Sequence, residues 1–151
     1  GEYRARGLEF GLSGNITSAL SLYGGAVVMD TEITKSAVAA NLGAEFANIA
    51  HTTFNLMAKY KVTDRVTIGG QATYAGEIKG GTFAATNGNT LPEHWRFDLL
   101  AEWQVTKKLD LQLNIINITD EVYYDAFYRS AVPYVYIAPG RAAYLTAKVK
   151  Y

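Results

Sequence analysis

The stretch Gly140-Arg141-Ala142-Ala143-Tyr144-Leu145-Thr146-Ala147-Lys148-Val149-Lys150-Tyr151 alternates without a break. In an extended chain Ala143, Leu145, Ala147, Val149 and Tyr151 fall on one face, and Ala142, Tyr144, Thr146, Lys148 and Lys150 on the other. One oily face and one wet face at period two describe a β-strand whose sides meet different solvents. A tilted strand of about ten residues crosses a bilayer, so this stretch predicts a membrane-spanning strand that ends in register on an aromatic ring.

The composition is compatible with that reading. Apolar residues make up 49% of the chain while mean hydropathy stays near zero, because outward apolar residues of a barrel strand are averaged with inward polar ones. No run approaches the roughly 18 uninterrupted apolar residues that a spanning helix needs, and no apolar signal segment opens the chain at Gly1. The absence of Cys rules out a disulfide framework and a thiolate metal site. A formal net charge of zero offers no basic surface to nucleic acid.

Reading outward from the terminal strand, the same period recurs six more times. Tyr3 to Ser13 carries Leu8, Phe10 and Leu12 on one side, and Leu20 to Ile33 carries Leu20, Leu22, Gly24, Ala26 and Val28. His51 to Lys61 sets Phe54, Leu56, Ala58 and Tyr60 against Thr53, Asn55, Met57 and Lys59. Val66 to Gly76 sets Val66, Ile68, Gly70, Ala72 and Tyr74 against Thr67, Gly69, Gln71 and Thr73. Trp95, Phe97, Leu99, Ala101 and Trp103 then oppose Arg96, Asp98, Leu100 and Glu102, and Leu109 to Ile116 repeats the pattern. The prediction is seven antiparallel strands.

The connections carry an independent regularity. Gly14 to Ala19, Val62 to Arg65 and Gln104 to Lys108 are short, whereas Thr34 to Ala50, Glu77 to Pro92 and Thr119 to Pro139 are long, and the two kinds alternate. Transmembrane barrels have short periplasmic turns and long outer loops; a soluble sandwich has no reason to gather its long loops at one end. Tyr60, Tyr74, Trp95, Trp103 and Tyr151 lie near strand ends on apolar faces, where a barrel carries its aromatic girdles. Seven is an odd number for a closed single-chain barrel, and lipid tolerates no open sheet edge. The expectation is therefore that residues 1–151 are a piece of a larger barrel.

Three motifs resemble a known family. They are the opening Gly1-Glu2-Tyr3-Arg4-Ala5-Arg6-Gly7-Leu8-Glu9, the stretch Leu113-Asn114-Ile115-Ile116-Asn117-Ile118-Thr119-Asp120-Glu121-Val122-Tyr123-Tyr124, and Pro139-Gly140-Arg141 followed by the alternating strand to Tyr151. Together they resemble the C-terminal part of TonB-dependent siderophore receptors. In the middle motif Ile118 and Thr119 stand where the family usually has Leu and Phe. The run Tyr124 to Arg129, with Tyr134 and Ala138 to Arg141, is similar to the ferric-catecholate branch.

The resemblance implies an all-β fold, an antiparallel transmembrane β-barrel segment forming the C-terminal third of a plugged barrel of about 22 strands, in the outer membrane of a Gram-negative bacterium. It implies an importer rather than an enzyme, taking up ferric siderophores with energy passed from the TonB complex. Other implied partners are an N-terminal plug domain, outer-membrane lipid and the barrel assembly machinery. No resident cofactor is expected, because iron arrives chelated by the siderophore. It also makes Leu145, Val149 and Tyr151 the C-terminal sorting signal.

The polar row Glu9, Asn55, Lys59, Gln71, Arg96, Asp98, Glu102, Gln112, Asn114, Lys148 and Lys150 is expected to face the lumen. Of these, Arg96, Asp98, Glu102, Gln112 and Asn114 are the candidates for touching a plug through charge-assisted hydrogen bonds. Asp98 and Glu102 would sit roughly 13 Å apart on one strand, too far to act as a catalytic carboxylate pair. His51 and His94 lack a clustered Cys or carboxylate and make a weak case for a metal site. No Ser lies in a nucleophile-elbow context.

Binding chemistry concentrates in the third long loop. Tyr123, Tyr124, Phe127, Tyr128, Tyr134 and Tyr136 supply rings and phenols, and Arg129 and Arg141 supply charge, which suits an anionic, aromatic-rich ferric catecholate. Tyr124, Tyr128, Arg129, Tyr134 and Tyr136 are the ligand-binding candidates; packing of the loop is the competing role for the same rings. The second loop, Glu77 to Pro92, reads as a mobile Gly, Ala, Thr and Asn segment around Phe83. A small self-standing outer-membrane barrel, acting as a passive pore or adhesin, is the alternative function.

Overall fold

A computed structural model describes residues 1–82, 86–128 and 134–151. The wall strands are β1 (Glu2–Asn15), β2 (Leu20–Lys35), β3 (Thr52–Lys61) and β4 (Val66–Ala75), then β7 (His94–Gln104), β8 (Leu109–Ile116) and β11 (Ala142–Val149). They form one antiparallel seven-stranded sheet in the order β1-β2-β3-β4-β7-β8-β11, so each wall strand pairs with the next in the chain. Four short strands lie in the long loops: β5 (Ile78–Lys79), β6 (Thr90–Leu91), β9 (Tyr124–Phe127) and β10 (Val135–Ile137).

Register carries the alternation of each strand across the sheet. Phe10 faces Ala26, Ala26 faces Phe54, Phe54 faces Tyr74 and Tyr74 faces Trp95. One side of the sheet is thus continuously apolar, and Leu8, Phe10, Ile68, Trp95, Leu99, Trp103 and Leu145 are exposed on it. The opposite side carries Lys59, Gln71, Asp98, Glu102, Gln112 and Asn114 through the same ladders. A single layer with one wet side and one apolar exposed side is the wall of a membrane barrel, and it needs no core of its own. The buried apolar residues Ile33, Ile78, Leu91, Tyr123, Phe127 and Ala138 all lie at the long-loop end.

The short turns share a device. Thr17 Oγ1 accepts from the N–H of Leu20, Thr63 Oγ1 from that of Val66 and Thr106 Oγ1 from that of Lys108. A threonine hydroxyl standing in for a backbone acceptor closes each reversal within a few residues, which holds all three tight turns at one end.

The strands differ greatly in length. β1 and β2 have 14 and 16 residues, against 8 in each of β8 and β11. Towards the long-loop end of β1 and β2 the outward positions change from Leu8 and Val28 to Arg4, Arg6, Asp30 and Glu32, with Arg4 opposite and ion-paired to Glu32. The terminal alternation from Gly140 to Tyr151 yields a shorter strand than its pattern predicts, because the Arg141 N–H is taken by Asp120 Oδ1 at 2.8 Å. Tyr151 follows the strand, and Lys150 still donates to the Lys108 carbonyl at 2.8 Å.

Candidate functional site

The polar face of the wall is a set of paired charges. Arg96 donates to Asp98 through Nε and Nη2, at 3.0 Å for the latter. Lys59 is paired with Glu102 at 2.8 Å, and Gln112 donates to Asn114 at 3.1 Å. Arg96, Asp98, Glu102, Gln112 and Asn114 therefore do share one face. Asp98 and Glu102 each have their own cation, so neither is placed to work on the other.

Asp98 also ties the wall to the third loop, since its Oδ1 accepts the Asn117 N–H at 2.9 Å. Asn117 is fully buried and has a left-handed backbone with φ of 53°. Asparagine tolerates that conformation better than most side chains because its short amide can bond locally. Here the amide accepts the Glu121 N–H at 3.0 Å and donates to the carbonyls of Glu121 and Pro139, at 2.9 and 3.4 Å. Asp120 then holds Arg141, through the backbone N–H and an ion pair of 3.7 Å. The start and end of the third loop are clamped together by Asn117 and Asp120, which gives Arg141 a structural partner on the loop itself.

Above the wall the three long loops meet. Ile78 and Leu91, from the second loop, pack on Phe127 from the third, with Ala50 of the first and Tyr124 against them. Asn48, with φ of 62°, completes the junction. Its side-chain amide accepts the Phe127 N–H at 2.7 Å and donates to the Phe127 carbonyl at 3.1 Å, while its own N–H bonds the Lys79 carbonyl at 3.1 Å. The second loop thus contributes two of the most buried side chains, where sequence reading expects a mobile segment. Phe83 lies outside the described residues.

Of the ligand candidates, the structure gathers three. β9 and β10 form a hairpin in which Phe127 faces Val135 and Ala126 faces Tyr136, closed by the Tyr128 N–H donating to the Tyr134 carbonyl at 2.9 Å. Tyr128, Tyr134 and Tyr136 are all exposed, and the rings of Tyr128 and Tyr136 meet edge to face at 5.7 Å. Tyr124 is separate from them and serves the loop core. Tyr123 is buried and stacks on His94 at 4.3 Å. Arg129 lies outside the described residues.

His51 bonds Asp30 at 2.8 Å while His94 stacks on Tyr123, and no group of three or more metal-ligating side chains occurs among the described residues. The outer girdle is a ring cluster, with Trp95 4.9 Å from Tyr74, 6.1 Å from Phe54 and 5.9 Å from Phe97. Trp103 is exposed on the same face at the short-turn end of β7. Leu145 and Val149 lie on the apolar face opposite Leu113 and Leu109.

Residues 1–118 match the family model described as TonB dependent receptor-like, beta-barrel. The chain is 32% identical over 158 residues to the probable TonB-dependent receptor BfrD of Bordetella pertussis, covering 100% of the chain and 21% of the relative. It is also 32% identical over 161 residues to the probable TonB-dependent siderophore receptor PiuA of Acinetobacter baumannii, again covering 100% and 21%. The crystal structure of PiuA superposes with a TM-score of 0.82 over 96% of the chain and 21% of that protein, at 30% identity. The ferric-catecholate import receptor Fiu from E. coli K12 superposes with a TM-score of 0.81 over 99% of the chain and 21% of that protein, at 26% identity. The chain spans about one fifth of the length of these relatives, which are receptors by name and not enzymes.

Proposed function

The chain belongs to the TonB-dependent receptor β-barrel family of the Gram-negative outer membrane, and from that premise we propose that it is wall and outer mouth of a receptor importing ferric siderophores of the catecholate type. The observation that carries this reading is the exposed aromatic face of Tyr128, Tyr134 and Tyr136, with Arg129 in the same loop. Rings, phenol donors and a guanidinium within one loop sequence suit a ferric catecholate, which is anionic and aromatic. The printed description of Fiu as a ferric-catecholate import receptor supports the same class.

The remaining parts of such a receptor are proposed with it. A plug domain would bear on the polar row of Arg96, Asp98, Glu102, Gln112 and Asn114, and the energy would come from the TonB complex through parts of the protein outside this chain. Lipid would cover the apolar face, and Leu145, Val149 and Tyr151 would be read by the barrel assembly machinery. Iron enters as cargo in its chelate. The free edges of β1 and β11 speak against a self-standing pore or adhesin, since an edge in lipid leaves a row of backbone groups unbonded.

The test is binding of iron-loaded catecholate and hydroxamate complexes to the full-length receptor in detergent. Tyr128→Ala, Tyr136→Ala and Arg129→Ala should each weaken catecholate binding several-fold and leave barrel stability unchanged. Equal binding of both complexes, or catecholate binding indifferent to all three changes, would sink the proposal.

A further inference from the structure

The second loop turns at Thr86-Asn87-Gly88-Asn89. The Asn89 N–H donates to the Thr86 carbonyl at 2.9 Å, and the Asn89 carbonyl accepts the Gly80 N–H at 3.0 Å. This turn therefore leads into the β5–β6 pair that carries Ile78 and Leu91 to the loop core. Thr86 is fully buried, and its Oγ1 donates to the Gly80 carbonyl at 3.1 Å. Asn87 and Gly88 are exposed beyond these bonds.

Asn87 is the one asparagine of the chain that is followed by glycine; the other seven precede Ile, Leu or Thr. An asparagine amide can be displaced by the main-chain nitrogen of the next residue, one reason why asparagine counts among the thermolabile side chains. A side chain on that next residue obstructs the approach, and glycine has none. Gly88 has a φ of 80°, and a Cβ built on it would meet nothing within 4 Å, so no packing confines the turn there. Among the described residues neither the Asn87 amide nor the Gly88 N–H is hydrogen-bonded. Elsewhere asparagine amides are engaged: Asn15 with Ser21, Asn114 with Gln112, and Asn48 and Asn117 in the two loop clamps.

We propose that Asn87 is a site of spontaneous deamidation, and that isoaspartate formed there loosens the second loop. The Gly88 nitrogen attacks Asn87 Cγ. A C–N bond forms, the bond from Cγ to the side-chain nitrogen breaks, and ammonia leaves with the proton that Gly88 gives up. Water then opens the cyclic imide, giving aspartate when it cleaves at Cγ and isoaspartate when it cleaves at the main-chain carbonyl. No oxidant or cofactor takes part. Either product places a new negative charge on the exposed turn. Isoaspartate also routes the main chain through Cβ and Cγ, which lengthens it between the Thr86 carbonyl and the Asn89 N–H and breaks the geometry of the bond between them. The proposal concerns the loop alone and stands whatever ligand the mouth receives.

The experiment is peptide mapping by mass spectrometry of the full-length receptor in detergent, aged at mildly alkaline pH until the urea-unfolded chain has converted at Asn87. Fragmentation that separates isoaspartate from aspartate is used on every sample. The folded receptor should gain at Asn87 the mass of an amide turned to an acid, ahead of every other asparagine of the chain and with isoaspartate as the larger part. Asn87→Gln should show no such gain. Aged receptor should lose hydrogen-exchange protection at Gly80 and Asn89. Fresh Asn87→Asp, which has the charge without the longer main chain, should keep that protection. No gain at Asn87 in the folded receptor, or an earlier gain at another asparagine, overturns the site. Aspartate without isoaspartate overturns attack by Gly88, and unchanged exchange in the aged receptor overturns the loosening.

Discussion

Lys59 on β3 and Glu102 on β7 form an ion pair of 2.8 Å across the strand that lies between them. The residue of β4 beside Lys59 is Gly69. A Cβ there would sit 3.0 Å from the Ala58 carbonyl oxygen and 3.4 Å from Lys59 Cγ. The missing side chain is what lets one lysine lie over its neighbouring strand and fasten three strands on the lumen side.

Gly69→Val should therefore uncouple the pair. In a Lys59→Met and Glu102→Gln double-mutant cycle the coupling should be about 0.5–1 kcal/mol, modest because both groups are partly exposed. In the Gly69→Val background it should fall to near zero. Thermal unfolding of the full-length receptor reads both values, and a coupling that survives the valine would show that Lys59 reaches Glu102 by another route.

Asn117 combines two costs that substitutions can separate. Asn117→Ala should lose the Glu121 hydrogen bonds and strain the left-handed backbone, for about 3 kcal/mol in all. Asn117→Gly should lose the bonds but not the backbone fit, for about 2 kcal/mol. Proteolysis of the third loop in folded receptor should accelerate in the same order; equal rates for both variants would mean that the φ angle costs nothing.

Phe127→Ala should open more than its own loop. Loss of a buried Phe costs about 3–5 kcal/mol, and the cluster with Ile78 and Leu91 is the small core that the loops share. Hydrogen exchange should rise together near Asn48, Lys79 and Phe127, the three positions joined by the Asn48 bonds. A rise confined to the third loop would refute a shared core.

Tyr128 and Tyr136 should act on ligand as a pair. Their edge-to-face contact is worth about 0.5–1.5 kcal/mol, so the double alanine variant should weaken ferric-catecholate binding by less than the two single losses combined. Strict additivity in a titration would mean that the two rings act on the ligand independently.

The wall was legible because its solvents impose period two on every strand. Leu109–Ile116 has the same bounds in sequence and structure, and the other wall strands differ by a few residues at their ends. The loop layer was hidden for an equally physical reason. Strands of two to four residues, such as Ile78–Lys79 and Thr90–Leu91, are too short to display a period. Ile78 and Leu91 stand as single apolar residues in polar surroundings, and only the chain folding back shows that they meet Phe127. The one available signal was asparagine after a strand or before one, since Asn48 and Asn117 both take positive φ where the chain turns. Among the rings, sequence could not tell Tyr124, which packs the loop core, from Tyr128, which faces out.

The unequal height of the wall has a consequence for how the protein measures its surroundings. At about 3.3 Å per residue β2 is roughly 50 Å long and β8 about half that, so the long strands outrun the hydrocarbon. Between Arg6 and Leu8, and between Val28 and Asp30, the outward face passes from charged to apolar while the backbone ladder continues unbroken. The waterline is therefore inscribed by side chains on a backbone indifferent to it. A change of two residues could raise or lower the level at which this side of the barrel floats, with every hydrogen bond of the strand pair left in place.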